Sequence, residues 1–136
     1  MHKILIIDDD QDFLDATRAF LEHAGFDVDE ALTPESGLDK IKIGNSDLVI
    51  LDVMMPTGFE GFEVARAIRE DLDRRDLPVL MLTSLCEVKK IPYRFAPDDA
   101  YLPVDVFLEK PVPPELLVKT INDMLGERRE EPEFPL

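Results

Sequence analysis

The sequence predicts an α/β fold: a flavodoxin-like, doubly wound, five-stranded parallel sheet in the order 2-1-3-4-5, with helices on both faces. Three observations carry this. Four short apolar runs, Ile4–Ile7, Leu48–Leu51, Val79–Leu82 and Val104–Leu108, each give way to polar residues. Unbroken apolar runs are strands buried on both sides, as in parallel sheets. The stretches between them are apolar at helical spacing, which supplies the covering layers. The length of 136 residues with 45% hydrophobic content is one domain with an ordinary core.

The elements follow in order. After Ile4–Ile7, the residues Phe13, Ala16, Thr17, Phe20, Leu21 and Ala24 recur at helical spacing. Gly25 then sits where a helix C-terminus wants it. Phe26–Ala31 alternates and reads as a weak, half-exposed strand. Thr33-Pro34 pairs an N-cap with proline at the first helical position, opening a short helix that carries Leu38 and Ile41. Gly44-Asn45 ends it. The Leu48–Leu51 strand reaches Asp52, and Met54-Met55-Pro56-Thr57-Gly58 is a loop. A helix over about Gly61–Leu72 places Ala65, Ile68 and Leu72 on one face. A last helix starts near Pro113-Pro114, turns Leu117, Ile121, Met124 and Leu125 inward, and stops at Gly126. Residues 1–126 are therefore the domain, and 127–136 a charged, frayed tail.

Composition removes several function classes. Thirty acidic residues face fifteen Lys and Arg, a net charge of -15. A DNA-binding or anionic-lipid-docking surface needs the opposite sign. The single cysteine, Cys86, allows no internal disulfide, which fits a reducing, cytoplasmic setting. No apolar run approaches the ~20 residues that span a bilayer, and Ile4–Ile7 is too short for a secretory signal.

The polar residues at the strand ends are the chemistry. In an open α/β sheet, ligands bind beyond the carboxyl ends of the strands, near the switch in strand order. Asp8, Asp9, Asp52, Thr83 and Lys110 converge there from distant parts of the chain. Crowded carboxylates repel one another unless a cation joins them. A hard divalent ion with oxygen ligands, Mg²⁺, meets that need. Asp52, alone at the end of a central strand, is the candidate nucleophile toward phosphorus. The Lys110 ammonium and the Thr83 hydroxyl supply charge and a donor to the oxygens of a phosphoryl group. Asp10 reads as the cap of the first helix.

These residues, taken with their neighbours, resemble a response-regulator receiver domain. Ile4-Leu5-Ile6-Ile7-Asp8-Asp9-Asp10 resembles the family's first strand and acidic pair. Leu51-Asp52-Val53-Met54-Met55-Pro56 resembles its phosphoacceptor motif, and Leu82-Thr83-Ser84 its switch hydroxyl. Phe107-Leu108-Glu109-Lys110-Pro111 resembles its switch aromatic and lysine. The resemblance spans roughly residues 3 to 126. It implies phosphoryl transfer to Asp52 from a histidine kinase or phosphotransfer protein. It also implies Mg²⁺ held by Asp8, Asp9 and Asp52, with Asp9 the direct ligand of the acidic pair and the Met54 backbone carbonyl a further one. Thr83 and Phe107 would move as the switch, and the Lys110-Pro111 peptide would be cis. The chain would catalyse only its own phosphorylation and dephosphorylation.

Two departures stand out. The loop from Pro56 to Gly61 has one residue more than the family's usual form. The segment 86–103 is longer than usual and is cut by Pro92, Pro97 and Pro103. An interior proline costs a helix about 3 kcal/mol, so a remodelled or short fourth helix is expected there. Its Ile91, Tyr93, Phe95, Tyr101 and Leu102 suggest a surface specific to a partner protein.

The expected output is a protein contact, with no attached effector, no nucleic acid and no membrane; homodimerisation stays open. Three rivals remain. An aspartyl-phosphate phosphohydrolase would want a second acid at Met54. A flavin or nucleotide module would want a Gly/Ser/Thr-rich loop where Asp8-Asp9-Asp10 stands. A third is a protein-binding module on the same fold that is never phosphorylated.

Overall fold

The computed structural model describes residues 2–52, 60–70, 72, 74, 76–84 and 105–129. The strands are β1 (Lys3–Ile7), β2 (Asp27–Ala31), β3 (Leu48–Asp52), β4 (Val79–Ser84) and β5 (Val106–Lys110). The described helices are α1 (Gln11–His23), α2 (Pro34–Ile43), α3 (Glu60–Glu70) and α4 (Pro114–Arg129). All strand pairs are parallel and the sheet order is β2-β1-β3-β4-β5, as the sequence predicts.

Alternation along the central strands makes two cores. Leu5, Ile7, Val49, Leu51, Val79 and Met81 face α2 and α3, where they meet Ile41, Val64, Ala65 and Ile68. Ile4, Ile6, Leu48, Ile50, Leu80 and Leu82 face α1 and α4, where they meet Leu14, Leu21, Leu117 and Ile121. Both faces of the strands are thus dry, which is why they read as unbroken apolar runs.

Local signals set the helix ends. Asp10 caps α1, its carboxylate accepting from the Phe13 N–H at 3.2 Å. At the other end Gly25 takes φ 100, while the Phe26 N–H reaches the Leu21 carbonyl and the Gly25 N–H that of Glu22. Thr33 caps α2 through the Ser36 N–H, and Gly44 closes it with φ 90. Gly37 lets α2 approach the sheet. A Cβ there would run into the Ile7 side chain.

Several boundaries and faces differ from the sequence reading. β5 runs Val106–Lys110 rather than Val104–Leu108. Its pairing with β4 continues through Glu109 and Lys110, and Asp105 before it is held by the Val79 N–H at 2.8 Å and by Arg69 at 2.9 Å. α4 passes Gly126 and ends at Arg129. A helical glycine costs only about 1 kcal/mol, and good helix formers follow it. α3 ends at Glu70, and Leu72 packs on the core from beyond it. On α1 the buried residues are Leu14, Thr17 and Leu21, whereas Ala16 and Phe20 are exposed. Phe13, Ala16 and Phe20 line the groove between α1 and α4, a second apolar stripe that spacing alone merges with the first. The loop at 53–59, the segment 86–103 and the tail beyond Arg129 lie outside the described residues.

Candidate functional site

Asp8 follows β1, Asp52 is the last residue of β3 and Lys110 the last of β5. The register brings these strand ends to one edge of the sheet. Lys110 Nζ lies 3.2 Å from Asp8 Oδ2 and 3.4 Å from Asp52 Oδ1. Asp8 is 1% exposed and Asp52 is 7% exposed, so both carboxylates are buried against this ammonium. Asp9 stands at the exposed rim. Oxygens of Asp8, Asp9 and Asp52 all lie within 4.8 Å of one another.

The electrostatics follow from burial. Desolvation pushes the Asp8 carboxyl above the ordinary aspartate value. The Asp10 N–H, 3.0 Å from Asp8 Oδ1, and the Lys110 ammonium pull it back only in part, while neighbouring Asp9 adds to the rise. Burial pulls Lys110 down, yet Asp8 and Asp52 outweigh it and hold the ammonium above the ordinary lysine value. Among the described residues, three carboxylates and one ammonium leave an excess of two negative charges. A divalent cation with a preference for oxygen would cancel it, so this donor set fits Mg²⁺.

The other predicted site residues divide into three groups. Thr83 is in β4, in register with Glu109, so its backbone stands at the same sheet edge; its side chain lies outside the described atoms. Phe107 is half-buried, opposite Met81 in register, and packs on the α2–α3 core. Met54 lies outside the described residues. The Lys110-Pro111 peptide is cis, as expected. One contact was missed in the sequence: the Phe13 ring, whose centroid is 4.4 Å from Lys110 Nζ. Helical spacing marked Phe13 as apolar, and nothing in the spacing ties it to a lysine 97 positions on.

Comparison with known proteins agrees with this geometry. The response regulator receiver domain family matches residues 4–122. The chain is 37% identical over 131 residues to the response regulator MprA of Mycobacterium avium, covering 96% of this chain and 53% of that protein. It is 40% identical over 89 residues to the DNA-binding dual master transcriptional regulator RpaA of Synechocystis, covering 65% of this chain and 36% of that protein. The chain thus spans about half, or less, of these relatives' length. Among solved structures it is similar to the Thermotoga maritima response regulator TrrA in complex with Mg²⁺ and BeF. That match has TM-score 0.73 and 28% identity, and covers 91% of this chain and 99% of that one. With sheet order, strand-end acids and lysine all in agreement, the chain belongs to the response regulator receiver domain family of two-component systems.

Proposed function

We propose that this receiver accepts a phosphoryl group on Asp52 from a histidine kinase or phosphotransfer protein and thereby switches a protein-contact surface. The observation that carries the reading is the placement of Lys110 between Asp8 and Asp52, on a rim where Asp9 completes an oxygen donor set. The Mg²⁺-bound relative from Thermotoga maritima supports it.

Asp52 is the nucleophile. One of its oxygens attacks phosphorus, the bond from phosphorus to the donor's leaving group breaks, and the leaving group departs with that electron pair. Asp8, Asp9 and Asp52, with the Met54 carbonyl, would hold Mg²⁺. The ion supplies charge to the phosphoryl oxygens and offsets repulsion among the acids. Lys110 presents a cation to the same oxygens without needing to be recruited from solvent. Thr83 then donates its hydroxyl to the new acyl phosphate, and Phe107 moves with it. That is a two-state element biased by local charge.

The chain acts on itself and has no separate substrate. A cytoplasmic setting fits the kinase partner. Among the described residues no helix is long and apolar enough to cross a membrane. DNA binding belongs to the relative named for it. With thirty acidic residues against fifteen basic ones, this chain offers proteins a better surface than phosphate backbones. The segment 86–103 is the proposed partner-specific part.

The test is incubation with a small phosphodonor, with and without Mg²⁺, followed by intact mass. One acid-labile phosphoryl adduct that requires Mg²⁺ supports the reading. No adduct, or an equal adduct on Asp52→Asn, rejects it.

A further inference from the structure

Lysine is a poor fixed charge by itself, because its four-carbon stem is flexible and its ammonium is strongly hydrated. Lys110 is 24% exposed along its side chain, so solvent competes for it. The structure nonetheless gives it a closed circuit of contacts. Asp8 Oδ1 accepts the Asp10 N–H at 3.0 Å. Asp10 Oδ1 accepts the Phe13 N–H at 3.2 Å. The Phe13 ring lies against Lys110 Nζ, 4.4 Å from its centroid, and Lys110 returns to Asp8 Oδ2 at 3.2 Å.

The circuit has a consequence for geometry. The cap that starts α1 also fixes the first-turn backbone that carries the ring. The ring's negative face then holds the ammonium over the acids. The half-buried Phe13 packs on the α1–α4 core, and it lines the same groove as Lys110.

We propose that Phe13 is a positioning residue for phosphoryl transfer: its π face keeps the Lys110 ammonium aligned with Asp8 and Asp52. This rests on the Asp52 reading above. An aliphatic residue at this position would keep the packing on the core and leave the lysine free to swing outward. Small misplacement of a charge-stabilising group is costly to rate, so the effect belongs to kinetics more than to stability.

The experiment uses the full chain, with Phe13→Leu, Phe13→Met and Phe13→Tyr beside wild type. Two readouts are taken. The first is the shift of the Lys110 ε-methylene protons by NMR, assigned with Lys110→Arg. An aromatic face moves them upfield, and this needs no phosphorylation. The second is the first-order rate of phosphoryl uptake from a small phosphodonor at saturating Mg²⁺. Wild type and Phe13→Tyr are expected to show the upfield shift and rates within about twofold of each other. Phe13→Leu and Phe13→Met are expected to lose the shift and slow by about three- to tenfold while unfolding at similar urea concentrations. Loss of the shift with an unchanged rate overturns the proposal, as does absence of the shift in wild type. If Phe13→Leu fails to fold, Phe13→Met decides by the same criteria. Wild type that shows the shift but takes no phosphoryl group refutes the Asp52 reading, and the positioning role falls with it.

Discussion

Lys110 and Asp8, 102 residues apart in sequence, meet at 3.2 Å because β5 and β1 deliver them to the same edge of one sheet. Asp8 is buried and cannot seek water instead. Removing the lysine leaves Asp8 and Asp52 buried without the ammonium that bridges them. Lys110→Met should therefore destabilise the metal-free protein by about 2 kcal/mol in urea unfolding, less than for a fully buried pair because Lys110 is partly exposed. Adding Mg²⁺ should restore part of the loss. An unchanged midpoint would mean the contact contributes nothing to the fold.

The Asp8 carboxyl gives a pH dependence with a definite sign. Its pKa in the folded protein is raised, chiefly by burial. Between the unfolded and folded values the native state binds more protons than the unfolded one. The group therefore costs stability above its folded pKa, and the cost disappears as pH falls through that value toward the unfolded one. Asp8→Asn should have a higher urea midpoint than wild type at neutral pH without metal. The gap should close as the solution is acidified through the Asp8 range. A gap that widens on acidification contradicts the stated cause.

Mg²⁺ should raise stability by linkage, by about 2.7 kcal/mol at a hundredfold excess over Kd. Asp9 stands at the exposed rim of the acidic group, so Asp9→Asn should change metal-free stability by no more than about 0.5 kcal/mol. It should nevertheless remove most of the stabilisation by Mg²⁺, and chelator should bring wild type and variant together. Differential scanning calorimetry across a Mg²⁺ series measures both effects. Equal Mg²⁺ responses in the two proteins would remove Asp9 from the metal site.

The open edge of the sheet supplies a prediction about association. The Asp27 N–H donates to the carbonyl before β1 and the Ala31 carbonyl accepts from the Asp8 N–H, so residues 28 and 30 turn their backbone outward. Arg18 from α1 donates to the Val28 carbonyl at 2.9 Å, and Lys40 from α2 donates to the Glu30 carbonyl at 2.5 Å. Asp29 accepts the Glu30 N–H at 2.9 Å. Edges covered this way resist pairing with another chain. The double variant Arg18→Ala, Lys40→Ala should self-associate at concentrations where wild type elutes as one smaller species in size exclusion. Adding Glu30→Pro, which deletes an outward N–H, should reverse it. A double variant that elutes like wild type would show the edge needs no cover.

The fold was legible because each central strand is buried on both sides and leaves an unbroken apolar run. β2 was readable only as weak, since Asp27, Asp29 and Glu30 sit at the open edge. The site residues could be named because strand topology alone gathers Asp8, Asp52 and Lys110. Side-chain reach is a different matter. The stripes Leu14-Thr17-Leu21 and Phe13-Ala16-Phe20 share the helical period, and only packing shows that Leu14 and Leu21 enter the core while Phe13, Ala16, Phe20 and also the buried Thr17 line the α1–α4 groove. The Phe13–Lys110 contact depends on where α1 lies relative to β5, which no local pattern encodes. Gly126 reads as a stop, yet the helix formers beyond it carry α4 on to Arg129.

The central claim is that Asp52 takes the phosphoryl group. After reaction with a small phosphodonor and Mg²⁺, borohydride reduces an acyl phosphate of aspartate to homoserine, and peptide mass spectrometry locates it. The account predicts homoserine at position 52, dependent on Mg²⁺, and none in Asp52→Asn. Homoserine at another aspartate, or at none, would contradict it.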